Sequence, residues 1–563
     1  MCRGVHISEP QTERLYIMDY KKLAELLFPH ITKTSEDYER EFPERNLPEG
    51  AVVTRIGPSP TGFVHLGNLF NAIIGERLAH QSDGVIFLRI EDTDTKREVP
   101  GAVKILIDAM TQFGVFFDEG ATVDGDNGSY GPYRQRQRKD IYQCFAKELV
   151  EKGMAYPCFC TEDELEQMRE AQKENKQNFG YYGEYAKCRN LTYEEIEEKI
   201  KNGVPYVLRY KSEGNSENSV KVYDAIKGDL DIQENYIDLV MLKSDGIPTY
   251  HFAHVVDDHL MRTTHVIRGE EWLPSLPMHV QMFDALGWKH PLYCHTAQLM
   301  KMDGTSKRKL SKRKDPELGL EYYDAEGYLV ETIWNYMLTI LNSNYEEWKM
   351  ANPDAKYTDF KFSLEKMGSA GVLFDLQKLN NISKEMIASK DAEFIYTELL
   401  AWAEKYDERF AQILKDNKEF TLGAINVGRG GAKPRYDLVT WKQSREFLSF
   451  YFDELFRIED EFPENVDKET RNTILTKYIE GFDINDDQET WFGKVRAITE
   501  ELGFAVRPKD YKKNPEMYKG SVVDVSNVIR VATTGRLNSP DLWEINQLFG
   551  DEKVRNRINN AIN

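Results

Sequence analysis

Two short apolar runs, at residues 52–56 and 85–90, flank a stretch at 66–80 whose apolar positions recur at helical spacing. Gly57, Pro58, Pro60 and Gly62 break the chain after the first run, and Ser82, Asp83 and Gly84 turn it before the second. Strand, helix and strand in this order predict a βαβ unit, hence a parallel sheet with its ligand at the carboxyl ends of the strands. Pro100 and Gly114 bracket a further crossover helix. From 151 to 234 the pattern is irregular and rich in Lys, Glu and Tyr, which reads as an insertion. Strand signals return at 238–243, 264–267 and 291–295, so the sheet is expected to resume at 238 and to finish near Lys314. Beyond Leu318 helical alternation takes over, as at 327–341 and 445–456. Residues 1–50, with one helical stretch at 20–28 and a charged one at 36–49, read as an appendage.

Composition narrows the class. A chain of 563 residues fits three or four domains. Its 94 acidic against 73 basic side chains give a net charge of −21, which excludes a histone-like binder but not local contact with nucleic acid. With 41% hydrophobic and 12% aromatic residues the chain is globular. No run approaches the roughly 18–20 apolar residues of a membrane helix. Residues 1–16 hold no apolar secretion segment, and six cysteines make no disulfide framework. The expectation is a cytoplasmic protein without a membrane partner.

Two segments carry candidate chemistry. Residues 55–68 read RIGPSPTGFVHLGN and lie between a predicted strand and the helix after it, where glycines and main-chain N–H groups suit a phosphate. Standing alone, such a turn is only a turn. Residues 307–314 read KRKLSKRK, six basic residues of eight in an acidic protein, and follow the last predicted strand. That places them on the same sheet edge, where lysines can neutralise a triphosphate and Ser311 offers a small hydroxyl.

Together, His65-Leu66-Gly67-Asn68 and Lys309-Leu310-Ser311-Lys312-Arg313 resemble the paired "HIGH" and "KMSKS" signatures of class I aminoacyl-tRNA synthetases. The text between them resembles bacterial-type glutamyl-tRNA synthetases: RIEDTD at 89–94, GPYRQ at 131–135, KSDGIPTYHFAHVVDDHLM at 243–261 and VIRGEEW at 266–272. AEGY at 325–328 and FDLQKL at 374–379 are similar as well; over 381–563 only TTGRLNSPDLWEINQLF at 533–549 is. The resemblance implies an α/β fold: a Rossmann-type catalytic domain split by an inserted α+β acceptor-binding domain, then all-α stem-contact and anticodon-binding domains. The expected divisions are an N-terminal extension at 1–50, catalytic halves at 51–150 and 237–318 around the insertion at 151–236, then helical domains at 319–395 and 396–563.

It also implies the reaction. Glutamate is activated by ATP to the adenylate and passed to the 3′ end of tRNA(Glu), with tRNA(Gln) left open, and activation in this family waits for bound tRNA. No protein nucleophile is needed, since such an enzyme places reactants and stabilises charge. In the family pattern His65, Lys309 and Lys312 act on the phosphates. Gly67, Asn68, Glu271, Met300, Ser311 and Lys312 hold the nucleotide, Gly67 as a flat surface for adenine. Arg55, Ser59, Glu91, Tyr250, His254 and Arg268 form the glutamate pocket, Glu91 for the ammonium and the arginines for carboxylates. His254 stands where Asn is common. A neutral glutamine amide would leave a buried arginine undercompensated, a penalty of roughly 2–5 kcal/mol.

Mg²⁺ with ATP is expected. Cys158, Cys160 and Cys188 resemble part of a zinc module, but Arg189 and Asn190 stand where a fourth ligand would follow, with Glu184 and Tyr185 as unusual substitutes. No bound metal is expected there. Arg134 and Arg136, in a run of four basic residues in six, and Arg429 and Lys433, in a Gly-rich segment, are candidates for tRNA phosphate, with a helix end and a surface loop as the bland alternatives. A monomer is expected. Among competing readings, glutaminyl-tRNA synthetases more often read PPEPNGYLHIGH, a truncated glutamyl-queuosine enzyme lacks the long C-terminal part, and a non-catalytic paralogue has no need of His65, Gly67 and Lys312.

Overall fold

The computed structural model describes residues 18–94, 98–430 and 435–562. The described residues divide into two compact units, one of those up to 320 together with 337–374 and one of 321–336 together with those from 375 onward.

The first unit is built on parallel strands. β1 (Val53–Ile56) is followed by a helix (Leu66–His80) and β2 (Val85–Leu88), which pairs parallel with β1; β3 (Glu119–Ala121) continues the parallel order and β4 (Asp126–Asn127) ends it antiparallel. The helix between β1 and β2 matches the expected 66–80, and a second, Ala102–Gln112, lies inside the bracket set by Pro100 and Gly114. The chain then forms an antiparallel sheet of β5 (Ala155–Cys158), β6 (Val207–Tyr210) and, further on, β9 (Val240–Leu242). Between these, the hairpin of β7 (Ser219–Asp224) and β8 (Gly228–Gln233) joins a parallel pair, β10 (His265–Gly269) and β11 (Leu292–Thr296), through β11. The expectation that the parallel sheet resumes at 238 is corrected: β9 belongs to the β5–β6 sheet, and the parallel order is carried by β7, inside the stretch read as an insertion, and then by β10 and β11. An apolar run of three residues fixes an extended conformation but not its neighbour.

β1 and β10 lie side by side, with Thr264 N–H donating to Val53 C=O at 3.0 Å. From β1 the order runs outward to β2 and β3, from β10 to β11 and β7, so their carboxyl ends form the crevice where such sheets bind ligands. A further hairpin, β12 (Leu299–Asp303) and β13 (Ser306–Lys309), carries the start of the basic run on its second strand, and the rest of the run follows in the loop after it.

Residues 18–50 are not an appendage. Their helices, Tyr20–Leu27 and Ser35–Glu41, bury Leu23, Leu27 and Tyr38, and the residues that follow the helices bury Phe28, Ile31 and Phe42. Arg45 clamps Glu119 with both Nη groups at 2.9 and 3.1 Å, and Glu39 receives Arg262 at 2.7 Å.

The second unit is helical, with one core running through Leu399, Phe410, Tyr451, Leu475, Ile529 and Ile558. The helix expected at 445–456 is instead Trp441–Leu448 followed by a 3-10 turn at Ser449–Tyr451, since the buried Phe450, Tyr451 and Phe452 are consecutive and cannot share one helical face.

Candidate active site

A cavity of about 940 Å³ opens over the carboxyl ends of β1 and β10. Arg55 on β1, Glu91 after β2, Tyr250 at the start of a helix (Tyr250–Leu260) and Arg268 on β10 line it, with Ser59, His65, Asn68 and Glu271. A second pocket of about 120 Å³ shares His65 and Glu271 and adds Gly67, Leu299 and Lys309. The two remote motifs therefore meet on one rim.

His65 is the N-cap of the Leu66–His80 helix. Its Nδ1 accepts the N–H of Asn68 at 3.2 Å, and the Asn68 side-chain oxygen accepts the His65 N–H at 3.0 Å. With Nδ1 used as acceptor, the ring hydrogen sits on Nε2. Burial and the nearby Lys309 ammonium lower its pKa, so the imidazole is a neutral donor. Asn68 spends its side-chain oxygen on this cap, which gives it a structural duty the motif alone does not disclose. A Cβ on Gly67 would stand 3.0 Å from the His65 ring, so glycine keeps this helix start open.

Charge around Arg55 is already balanced. Arg55 Nε donates to Asp258 at 3.1 Å, and Arg89 Nη1 donates to the same carboxylate at 2.7 Å. Although burial raises it, these arginines hold the Asp258 pKa well below its usual value. Asp257 receives Arg138 at 2.7 Å and Tyr142 at 2.8 Å. Glu91 receives Arg89 at 3.0 Å, and burial pushes its carboxyl up. A Cβ on Gly57 would lie 2.3 Å from Glu91 Oε1, so only glycine lets that carboxylate reach its place.

Arg268 differs. It is 5% exposed and forms no ion pair among the described residues. His295 Nε2 accepts its Nε–H at 3.0 Å, His279 Nδ1 accepts from Nη1 at 3.2 Å, and Nη2 is buried without a hydrogen-bond partner. Tyr250 stands nearby, packed on Trp272 with ring centres 4.2 Å apart. A buried cation with neutral neighbours and a spare donor is a carboxylate receptor. The argument for glutamate over glutamine thus rests on Arg268 rather than Arg55.

Several expected residues lie elsewhere. His254 is fully buried behind Tyr250, with Nδ1 2.5 Å from Asp258 and Nε2 bonded to the Tyr293 hydroxyl at 3.0 Å. It supports the wall without lining the cavity. The Met300 carbonyl accepts the Phe374 N–H at 2.7 Å, and Leu299 and Gln298 face the smaller pocket instead. The Ser311 N–H donates to Asp315 at 2.8 Å, anchoring the basic loop, and the Lys312 ammonium lies 3.8 Å over the Phe63 ring. Asn71 and Trp272 line the cavity unanticipated; Trp272 stood in a quoted motif, whereas Asn71 carried no signal.

The RNA candidates are largely internal. Arg134 folds back on the carbonyls of Gly125 at 2.7 Å and Thr122 at 2.6 Å, while Arg136 is exposed. Arg429 caps a helix end through the carbonyls of Ile387, Ala388 and Lys390 at 2.6–3.2 Å, so neither it nor Arg134 is a free phosphate ligand. Lys433 lies outside the described residues. In the second unit a pocket of about 420 Å³ is lined by Trp491, Phe492, Arg496, Arg530 and Leu542.

Cys158, Cys160 and Cys188 bring their sulfurs within 4.8 Å of one another. Beside this group, the Tyr181 hydroxyl lies 3.2 Å from Cys160 Sγ and is a candidate fourth donor that precedes Cys188. Cys160 and Cys188 sulfurs are 3.6 Å apart, and a tetrahedral zinc with Zn–S near 2.3 Å asks for about 3.8 Å. Hydrogen bonds from the other two thiols hold the Cys158 pKa low, so one thiolate is already favoured. The set fits zinc.

A parallel sheet with both signature segments at its switch point defines a class I aminoacyl-tRNA synthetase. Residues 51–380 match the family described as "tRNA synthetases class I (E and Q), catalytic domain", and residues 518–562 match "Anticodon binding domain". A glutamate–tRNA ligase of Acetivibrio thermocellus is 56% identical over 542 residues, covering 96% of this chain and 99% of its own. One of Clostridium perfringens strain 13 is 49% identical over 546 residues, covering 96% and 100%. The crystal structure of a glutamate tRNA ligase from Elizabethkingia meningosepticum, in complex with its amino acid, superposes with a TM-score of 0.73 at 28% identity, over 91% of this chain and 99% of that one. The chain belongs to the glutamate–tRNA ligase family and joins glutamate to tRNA. No helix of the described residues is long and apolar enough to cross a membrane.

Proposed function

We propose that the 940 Å³ cavity takes L-glutamate with its side-chain carboxylate on Arg268 and its ammonium at Glu91. The observation that carries this is the unpartnered Nη2 of Arg268, a buried donor on a guanidinium otherwise held by neutral imidazoles. Tyr250 and Ser59 complete the pocket, and Arg55 lends positive potential already offset by Asp258. ATP lies along His65, Gly67 and Glu271, with its phosphates toward Lys309 and Lys312 and Mg²⁺ held by phosphate and water. An oxygen of the glutamate α-carboxylate attacks the α-phosphorus, the bond to pyrophosphate breaks, and glutamyl-adenylate forms. His65 Nε2–H and the Lys312 ammonium stabilise charge as it builds on phosphate oxygen. A terminal ribose hydroxyl of tRNA then attacks the acyl carbonyl and AMP departs.

Cys158, Cys160, Cys188 and Tyr181 would hold a zinc ion that closes their loops, a structural duty since no open position is left. In the second unit Trp491 and Phe492 offer stacking faces and Arg496 and Arg530 edge donors, which suits an unstacked anticodon base. tRNA(Glu) is the partner, and charging of tRNA(Gln) is settled by aminoacylation of the separated tRNAs with labelled glutamate.

The test is ATP–pyrophosphate exchange in the presence of tRNA. Exchange supported by glutamate and not by glutamine is expected. Exchange supported by glutamine alone overturns the assignment of Arg268.

A further inference from the structure

Arg268 can serve as a carboxylate receptor only if something holds it in place without neutralising it. Its neighbours on the side away from the cavity do this in an ordered way. Register pairs Arg268 on β10 with His295 on β11, and Asp224 at the end of β7 lies beside Tyr293 on β11. Both His295 and Asp224 are fully buried. Asp224 Oδ2 lies 2.7 Å from His295 Nδ1 and also accepts the His295 main-chain N–H at 3.1 Å. Asp224 Oδ1 accepts the N–H groups of Ile226 at 2.9 Å and Lys227 at 2.8 Å, so the carboxylate is fixed by the β7–β8 turn.

A guanidinium has only donors, so His295 Nε2, 3.0 Å from Arg268 Nε, must present its lone pair. The ring hydrogen is then on Nδ1, and Asp224 is its acceptor. The same logic fixes the second support: His279 Nδ1 accepts from Arg268 Nη1 at 3.2 Å, so His279 Nε2 carries the hydrogen and donates to His251 Nδ1 at 3.0 Å. Arg268 is thus pinned at Nε and Nη1 by neutral imidazoles, and its plane packs over Tyr293 at 4.8 Å. Burial keeps His295 neutral although it touches a carboxylate. The single negative charge of the relay stays one imidazole away from Arg268, where it orients without competing for the cation.

We propose that Asp224 and His295 are positioning residues for recognition of the substrate side-chain carboxylate: Asp224 fixes the tautomer of His295, and His295 holds Arg268 with Nη2 free for glutamate. The inference rests on the assignment of Arg268 made above. It explains how a site can keep a buried positive charge uncompensated until the correct amino acid arrives. In the variant Asp224→Asn the amide oxygen is claimed by the two turn N–H groups, so the amide N–H faces His295 Nδ1. That reverses the tautomer and turns a second N–H toward Arg268 Nε–H, which displaces the guanidinium.

Three measurements test it. In the unaltered protein, ¹⁵N-histidine NMR is expected to find His295 with its hydrogen on Nδ1; hydrogen on Nε2 overturns the proposal and requires no variant to fold. In Asp224→Asn the KM for glutamate is expected to rise about 10- to 100-fold, the range for a lost hydrogen bond to a charged group. KM for ATP and kcat at saturating glutamate change less than about threefold on this scale, and the preference for glutamate over glutamine falls. A merely structural role would instead move KM for ATP and kcat together, and that outcome refutes the proposal. Asp224→Asn/His295→Phe is expected to be no worse than His295→Phe alone, because Asp224 acts through His295; additive effects refute the relay. Arg268→Gln separates the two levels. If it leaves the glutamate KM unchanged, the assignment of Arg268 fails; if it raises that KM while Asp224→Asn does not, only the relay fails.

Discussion

The Lys312 ammonium lies 3.8 Å above the Phe63 ring. Two roles compete for that contact, and their magnitudes differ enough to decide. A cation–π contact at an exposed site is worth about 0.5–1 kcal/mol, equivalent to about a two- to fivefold change in an equilibrium constant. Loss of a charge-stabilising donor at a reacting phosphate costs about 10²–10³ in rate. Lys312→Ala is therefore expected to lower tRNA-dependent pyrophosphate exchange about 10²- to 10³-fold in kcat. Phe63→Leu, which removes only the resting contact, is expected to change KM for ATP by at most about fivefold. Initial rates over a matrix of ATP and glutamate concentrations separate the two constants. A near-normal kcat for Lys312→Ala would refute the placing of the basic loop at the phosphates. A loss near 10²-fold for Phe63→Leu would make the ring itself part of the working site.

Asp258→Asn leaves Arg55 and Arg89 short of a counter-charge in a fully buried cluster and is expected to cost about 3–5 kcal/mol, read as a lowered first thermal transition; an unchanged transition sinks the account of that cluster. Purified protein is expected to carry one zinc per chain, with Tyr181→Phe binding it more weakly under chelator, and metal-free protein of native stability contradicts the site. Stability should fall on acidification, because burial lowers His254 to about 3 and His251 to about 4, Arg268 adding to the second. Their folded values lie below the unfolded value near 6.5, so this stability is present above about pH 6.5 and is lost toward pH 4, about 1.4 kcal/mol per imidazole per pH unit. His254→Asn is expected to flatten that fall in a series of melting curves, and parallel curves would exclude His254 as a source.

What the sequence disclosed follows from which forces leave a local trace. The run 52–56, the turn at Gly57 and the helix 66–80 were legible because a buried parallel strand is continuously apolar and a helix start needs a break before it. The partner of β9 was not legible, since pairing depends on the whole sheet. Arg134 read as a tRNA-phosphate candidate in a basic run that also holds Arg138, although both are folded inward, because charge in sequence says nothing about burial. Asp224, His279 and His295 were missed because none stands in a chemical motif, His295 being legible only as part of a strand, and only the meeting of three distant strands and a helix around Arg268 gives them meaning. Tyr181 escaped because Glu184 and Tyr185, nearer Cys188 in sequence, were weighed as substitute donors, and only the fold brings the Tyr181 hydroxyl beside Cys160.

The docking of residues 18–50 has a practical consequence. The recognisable motifs begin at residue 51, yet the piece that must hold together begins earlier, with Arg45 tied to Glu119 and Glu39 to Arg262. A fragment cut where the signature starts would lose six large apolar plugs and two ionic clasps at once. The edge of what can be recognised and the edge of what can stand alone are different places on this polypeptide.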